Sequence, residues 1–271
     1  MVTVRFGLIG CGAMGKTIAD AIDSGKIGGR LEYVYDIDPT MAEGLANHMK
    51  NKPQTVATAS ELIDKSDFVI EAASQQAVKE YAIEVVQKKK SLLIMSVGAL
   101  LDDGFKDRLM EAASKTWSRV YLPSGAVAGI DGLLSAETAG IDEVTLTSTK
   151  PPAGFRGVKY LKDKGIDIDA IKEPTVIFEG EAHEAVTLFP KNINVSAIVS
   201  LAAGHKVKVK IVADPNAKTN IHEIHAKGPF GELMTRTSNV PSPTNPKTSY
   251  LAALSAIATL KKVTGNVRIG N

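Results

Sequence analysis

Apolar residues follow two different rhythms along this chain. In the first half, short unbroken apolar runs alternate with stretches that repeat every three or four residues. Val4 to Ile9 is such a run, and Ile18, Ala19 and Ile22 then recur at helical spacing. "LEYVYDID", "SDFVIEAAS", "SLLIMSVGAL" and "SRVYLPSG" predict further strands, and "QQAVKEYAIEVVQKK" and "LDDGFKDRLMEAASK" predict helices between them. Strands alternating with helices predict an α/β domain with a parallel, doubly wound sheet.

After "PSGAVAGIDGL" the rhythm changes. "DEVTLTSTK", "PTVIFEG", "KVKVKIVADP", "NIHEIHAKG" and "GELMTRTSNV" read as strands, with helices over "EAHEAVTLF" and "NINVSAIVSLAAG". Neighbouring strands without long crossovers predict a second, α+β domain with an open, mostly antiparallel sheet. "VPSPTNPKTS" reads as a proline-rich linker. The helix after it carries Leu251, Leu254, Ile257 and Leu260 on one stripe. We expect that helix to return to the first domain. The first domain then comprises residues 1–125 plus 245–271, and the second residues 126–244.

The first strand runs into Gly10, Cys11, Gly12, Ala13, Met14 and Gly15, and a predicted helix follows. This G-x-G-x-x-G sits between strand and helix, the context in which it holds a dinucleotide. Gly10 allows the tight turn, Gly12 lets a pyrophosphate approach the main chain, and Gly15 lets helix and strand pack closely. The helix N-terminus adds free N–H groups and a positive dipole end. Asp36 closes the second strand, 21 residues past Gly15, where a ribose-binding acid is expected. An acid there repels a 2′-phosphate and favours NAD over NADP. Asp38 is close enough in sequence to share the role. The first domain therefore reads as a Rossmann-type dinucleotide platform. Its ligand faces the carboxyl ends of the strands. The small residues Ala72, Ala73 and Ser74, Ser96, Val97 and Gly98, and Ser124, Gly125 and Ala126 lie there and leave room for a flat nicotinamide.

Composition narrows the classes. The 271 residues carry a formal net charge of +2, which gives no electrostatic case for nucleic acid. The run Lys88-Lys89-Lys90 reads as a solvated helix end. Cys11 is the single cysteine, so disulfides and cysteine zinc sites within one chain are out. No apolar stretch reaches the roughly 18 to 20 residues of a membrane span. The N-terminus shows no signal-peptide pattern. We expect a cytoplasmic protein with no membrane partner.

The candidate chemistry of the second half lies in "TNIHEIHAKGPFGE", which holds two of the five histidines. On a strand their side chains point to opposite faces. His222 shares a face with Ile224 and Ala226, and His225 shares the other with Ile221 and Glu223. Two rings on opposite faces do not chelate one metal, so no metal site is expected. The strand pattern leaves two readings of His222 open, a satisfied structural histidine and an acid–base group. His225 reads as scaffold, and His48, His183 and His205 as surface residues.

"GLIGCGAMG", "LFPKNINVSA", "IVADP", "NIHEIHAKGPFGE" and "NPKTSYLAALSAI" together resemble the L-aspartate dehydrogenase family, from end to end of the chain. The resemblance implies a Rossmann domain plus an open-sheet α+β domain for substrate, catalysis and dimerisation, as a homodimer. It implies reversible oxidation of L-aspartate to iminoaspartate with NAD or NADP. The imine then hydrolyses to oxaloacetate and ammonium or feeds NAD biosynthesis. It implies that His222 is the active-site residue, and that Ala126 and Asn192 contact the cofactor. Oxidising an amino acid needs a base that titrates near neutral pH, and histidine suits that need. Two substrate carboxylates need cations, and Lys191 and Lys247, with Thr248, are the candidates. Two other readings stand beside this one. A dihydrodipicolinate reductase-like enzyme has a similar architecture, and a non-catalytic NAD-sensing protein would need no base at His222. Phosphorylating aldehyde oxidation needs a thiolate in the second domain, which has none.

Overall fold

The computed structural model describes residues 3–189, 193–242 and 245–270. The chain divides into two compact units, Met1–Pro123 with Ala253–Ile269, and Ser124–Ala252 with Gly270–Asn271.

The first unit alternates strands and helices. They are β1 (Arg5–Ile9), α1 (Ala13–Asp23), β2 (Arg30–Tyr35), α2 (Pro39–His48), β3 (Gln54–Thr55), α3 (Ala59–Lys65), β4 (Phe68–Glu71), α4 (Gln75–Gln87), β5 (Ser91–Ile94), α5 (Asp103–Thr116) and β6 (Val120–Tyr121). The sheet order is β3-β2-β1-β4-β5-β6, and every pair is parallel. This is the Rossmann order, which reverses between β1 and β4 and opens a crevice at their carboxyl ends. The central strands are mostly apolar because both sheet faces are covered, and all four residues of β4, Glu71 included, are buried. Asp38, Thr58, Ser74 and Asp102 cap α2, α3, α4 and α5 by accepting a backbone N–H. Each cap contributes about 1 kcal/mol. Ser74, placed among the nicotinamide-side residues by sequence, serves as one of these caps.

The second unit contains α6 (Ile130–Glu137), β7 (Glu143–Lys150), α7 (Lys159–Asp163), β8 (Thr175–Glu181), α8 (Ala182–Leu188), α9 (Ile193–Ala203), β9 (Val207–Ala213), β10 (Asn220–Gly228), β11 (Gly231–Asn239), β12 (Pro241–Ser242) and β13 (Asn245–Ser249). The large sheet runs β11-β10-β7-β9-β8. Its pairs are antiparallel except β7 with β9. The long connection through α7, β8, α8 and α9 supplies the crossover that a parallel pair needs. Helix α9 lies against α6, α8, β7 and β9. Val144, Leu146, Val207, Val209, Ile211, Ile224 and Ala226 build the apolar core of this sheet. The expected linker is in part a two-stranded hairpin, β12 with β13. Pro241 is tolerated because it opens its strand.

The last helix, α10 (Tyr250–Thr264), corrects the expected stripe. Its buried residues are Ala253, Ala256 and Leu260, whereas Leu254 is 38% exposed. The 253, 256, 260 spacing is as helical as the leucine stripe, and alanines let a helix pack closely. Ala256 and Leu260 join the core of the first unit beside Ile18, Ile22 and Leu31.

Candidate functional site

The glycine loop is built by local sterics. Gly10 has φ of +97°, and a β-carbon there would lie 2.7 Å from the Ala72 backbone. A β-carbon on Gly15 would run into the Gly10 carbonyl oxygen. Gly12, which caps α1, differs from both: a β-carbon there would meet nothing within 4 Å. Folding therefore requires Gly10 and Gly15, and the open space over Gly12 fits a group that must come close to the backbone, as a pyrophosphate does. Ala13 and Met14 open the first turn of α1, both half-buried.

Asp36 stands at the mouth of this loop. Its Oδ2 accepts the Cys11 N–H at 2.7 Å, and its Oδ1 accepts the Asp38 N–H at 3.0 Å. Each oxygen keeps a further lone pair for a ligand hydroxyl. A cavity of about 290 Å³ beside it is lined by Asp36, Glu43, Thr55 and Val56, and by no lysine or arginine among the described residues. Asp38 is occupied otherwise: it caps α2 and accepts both the backbone N–H and the hydroxyl of Thr40. The Cys11 thiol is 4% exposed, and burial pushes it up to about 12, so it is no nucleophile.

Ala72 and Ala73 follow β4, Ser96 follows β5, and Gly98 lies buried in the short 3-10 helix Val97–Leu101. One residue that sequence reasoning missed joins these segments. Glu71 is 3% exposed and accepts the backbone N–H groups of Ala73 (2.8 Å), Met95 (3.1 Å) and Ser96 (3.0 Å) and the Ser96 hydroxyl (2.8 Å). Burial pushes its carboxyl above the usual range, against the pull of these donors. An acid closing the apolar run "FVIE" was the sequence signal.

In the second unit, His222 lies on the buried face of β10 with Ile224 and Ala226, and His225 on the opposite face. His225 pairs with Glu232 on β11, and Glu223 pairs with Arg236. His222 is 4% exposed, and its Nδ1 lies 2.9 Å from the Ser148 hydroxyl. Ser148 sits directly across from it on β7. Burial, with the charge of Lys150, lowers the imidazole to about 3. The ring is therefore uncharged at neutral pH. The hydroxyl of Ser148 can donate to Nδ1 or accept from it, so either tautomer is satisfied and Nε2 can serve as acceptor or donor.

Ala126 is tied to the same sheet. Its carbonyl accepts the Thr237 hydroxyl and the Asn239 amide, each at 2.9 Å. Thr237 stands across from His222 on β11. A predicted cofactor contact and the predicted active-site histidine thus share one framework. Thr248 is half-buried in β13, where the backbone of Lys247 also runs. Lys191 and Asn192 lie outside the described residues. Among the described residues, no group of three or more His, Cys, Asp or Glu side chains could hold a metal.

Known proteins resemble the chain over its whole length. Residues 131–263 match the family model "Aspartate dehydrogenase, C-terminal", and residues 10–123 match "Homoserine dehydrogenase, NAD binding domain". The L-aspartate dehydrogenase of Methanocella arvoryzae is 46% identical over 268 residues, covering 98% of this chain and 99% of the relative. That of Nitrosopumilus maritimus is 47% identical over 270 residues, with the same coverage. The crystal structure of aspartate dehydrogenase from Thermotoga maritima superposes with a TM-score of 0.76 at 29% identity, covering 99% of this chain and 100% of that one. Together with a glycine loop shaped for a dinucleotide and an uncharged buried imidazole, this likeness shows that the chain belongs to the L-aspartate dehydrogenase family.

Proposed function

We propose that this protein oxidises L-aspartate with NAD⁺ to iminoaspartate, which hydrolyses to oxaloacetate and ammonium. The observation that carries this reading is the uncharged imidazole of His222, held by Ser148, in a chain that matches L-aspartate dehydrogenases from end to end.

The first unit is the dinucleotide domain. Gly10, Gly12 and Gly15 shape the pyrophosphate cradle, and Ala13 and Met14 present the start of α1 to it. Asp36 takes the adenosine ribose hydroxyls. The acids Asp36 and Glu43, with no lysine or arginine beside them in the cavity among the described residues, favour NAD over NADP. Ala72, Ala73, Ser96 and Gly98 leave room for the nicotinamide half, and Glu71 fixes the loops that carry them. Ala126 and Asn192 are the contacts expected from the second unit. NAD⁺ supplies the hydride acceptor when bound.

His222 is the acid–base residue. As a neutral imidazole it accepts a proton from the substrate amine or from the water that attacks the imine. The substrate brings two carboxylates, whose charge opposes the effect of Lys150 and raises the basicity of the ring. Rotation of the Ser148 hydroxyl follows the change of tautomer. The active species is a homodimer. The sheet face that carries Ile221, His225 and the 71% exposed Met234 is the surface for it.

The test follows NADH formation with L-aspartate and a panel of other amino acids, for the wild type and His222→Ala. We expect turnover with L-aspartate and a loss of about 10²- to 10⁴-fold in kcat for the variant, with NADH affinity retained. A wild type that binds NADH yet turns over no amino acid would leave a sensing role instead. Full activity in His222→Ala would remove the histidine from the chemistry.

A further inference from the structure

The second unit contains a cavity of about 310 Å³ whose chemistry bears on the substrate. Its lining includes Lys150, Arg156 and Lys159 together with Thr187, Phe155 and Phe189, and no aspartate or glutamate among the described residues. Phe155 and Phe189 are buried and meet edge to face, 6.3 Å between ring centroids, so part of the wall is rigid and apolar. Asp169 holds the Arg156 guanidinium through bonds of 2.7 and 3.1 Å and offsets its charge. Lys150 and Lys159 add two further cations to the lining. This combination suits a small anion with a short hydrocarbon body.

Lys150 links the cavity wall to β7, the strand that pairs with the His222 strand. Lys150 follows Ser148 by two residues on β7, so both side chains leave the same face, with backbones roughly 6 to 7 Å apart. Ser148 bonds His222, and the charge of Lys150 reaches the imidazole. Lys150 thus belongs both to the surroundings of the histidine and to the cavity wall. L-aspartate is a four-carbon chain with a carboxylate at each end. A flexible lysine is a point charge that can meet either end without demanding a planar partner.

We propose that this basic cavity is the carboxylate-binding subsite of the substrate, with Lys150 as the cation that selects a dicarboxylic amino acid and Lys159 as a second attractor near the mouth. The inference rests on the reading of the site as an L-aspartate dehydrogenase. It replaces no residue of that reading and adds the clamp that Lys191 and Lys247 were expected to supply.

Two variants and two readouts test it. Lys150→Met and Lys159→Met keep side-chain length and remove charge. Lys208→Met, on the neighbouring strand β9 across from Thr145 and paired with Glu179, is the control. One readout is steady-state kinetics with L-aspartate and L-alanine. The other is calorimetric binding of succinate, an unreactive four-carbon dicarboxylate, which needs no turnover. We expect Lys150→Met to weaken succinate binding and raise KM for L-aspartate at least tenfold, with NADH affinity unchanged. The preference for L-aspartate over L-alanine should shrink by a similar factor, and Lys150→Arg should restore part of it. Lys159→Met should show a smaller loss in the same direction, and it stands as the test if Lys150→Met fails to fold. Unchanged succinate binding in both variants would overturn the proposal, as would inorganic phosphate displacing succinate at equal concentration. A wild type that binds succinate through Lys150 but does not oxidise L-aspartate would sink the activity and leave the subsite standing. Turnover of L-aspartate that ignores both lysines would do the reverse.

Discussion

A single residue can be legible in sequence by its spacing, and Asp36 is the clearest case. Its distance from Gly15 is the ground on which we propose it as the ribose contact, and each of its oxygens is fixed by a backbone N–H at the loop mouth. Hydrogen bonds to a charged acceptor are worth roughly 1.5 to 3 kcal/mol. We expect Asp36→Ser to weaken NADH binding at least tenfold and to raise the NADPH-to-NADH affinity ratio by a similar factor, read by fluorescence titration of both cofactors. An unchanged ratio would take Asp36 away from the 2′-position. Ser148 had no such signal. It lies 74 residues from His222 in the chain, inside a threonine-rich strand, and only cross-strand register makes them partners. The sequence left His222 between scaffold and base. Its burial, its neutral state and the Ser148 hydroxyl at its ring are what give the second reading physical content.

Among elements, the strand–loop–helix of β1 and α1 offers the sharpest contrast. The motif assigns its three glycines different tasks, and the structure separates them in the same way by what a β-carbon would meet. Gly15→Ala forces α1 away from β1 and is expected to cost about 2 to 4 kcal/mol. Gly12→Ala meets no protein atom, so its stability should stay within about 1 kcal/mol of wild type while NADH affinity falls at least tenfold. Urea unfolding and NADH titration of both variants read these two effects apart. A Gly12→Ala protein that binds NADH as the wild type does would mean that no phosphate approaches the loop there. The apolar rhythm announced the central strands because both faces of that sheet are buried. It did not announce α2 or α3, whose buried faces are only three residues each. On α10 it placed Leu260 and Ile257 in the core but also took the exposed Leu254 and passed over Ala253 and Ala256, because side-chain size was read as burial. A helix that packs tightly through Ala253 and Ala256 looks weakly apolar in sequence.

At the scale of the whole molecule, buried titratable groups set the response to acid. His222 has a folded-state value of about 3 against 6.5 for the ordinary imidazole. Below pH 6.5 the unfolded chain takes up a proton that the folded chain refuses. Stability therefore falls toward acid by up to about 1.4 kcal/mol per pH unit until the folded value is reached. Glu71, pushed upward, acts with the opposite sign: its contribution is present in acid and is lost as pH rises through its folded value. A comparison with His222→Asn isolates the histidine, because the Glu71 contribution is common to both proteins. We expect the wild type to lose about 2 kcal/mol more than His222→Asn over that interval, measured by urea unfolding at both pH values. Parallel losses would mean that the imidazole is solvated or already charged. What the sequence determined alone is local: a glycine loop between a strand and a helix, an acid one strand later, and a change of rhythm halfway along the chain. Each depends on contacts over a few tens of residues, so spacing encodes it. What the tertiary structure decided is non-local. Strand register places Ser148 against His222 and Lys150 beside both. It also brings Thr237 and Asn239 to the carbonyl of Ala126. Those pairings close loops of 74 to 113 residues. Spacing along the chain does not encode them, because register between distant strands is fixed only when the whole sheet buries its face.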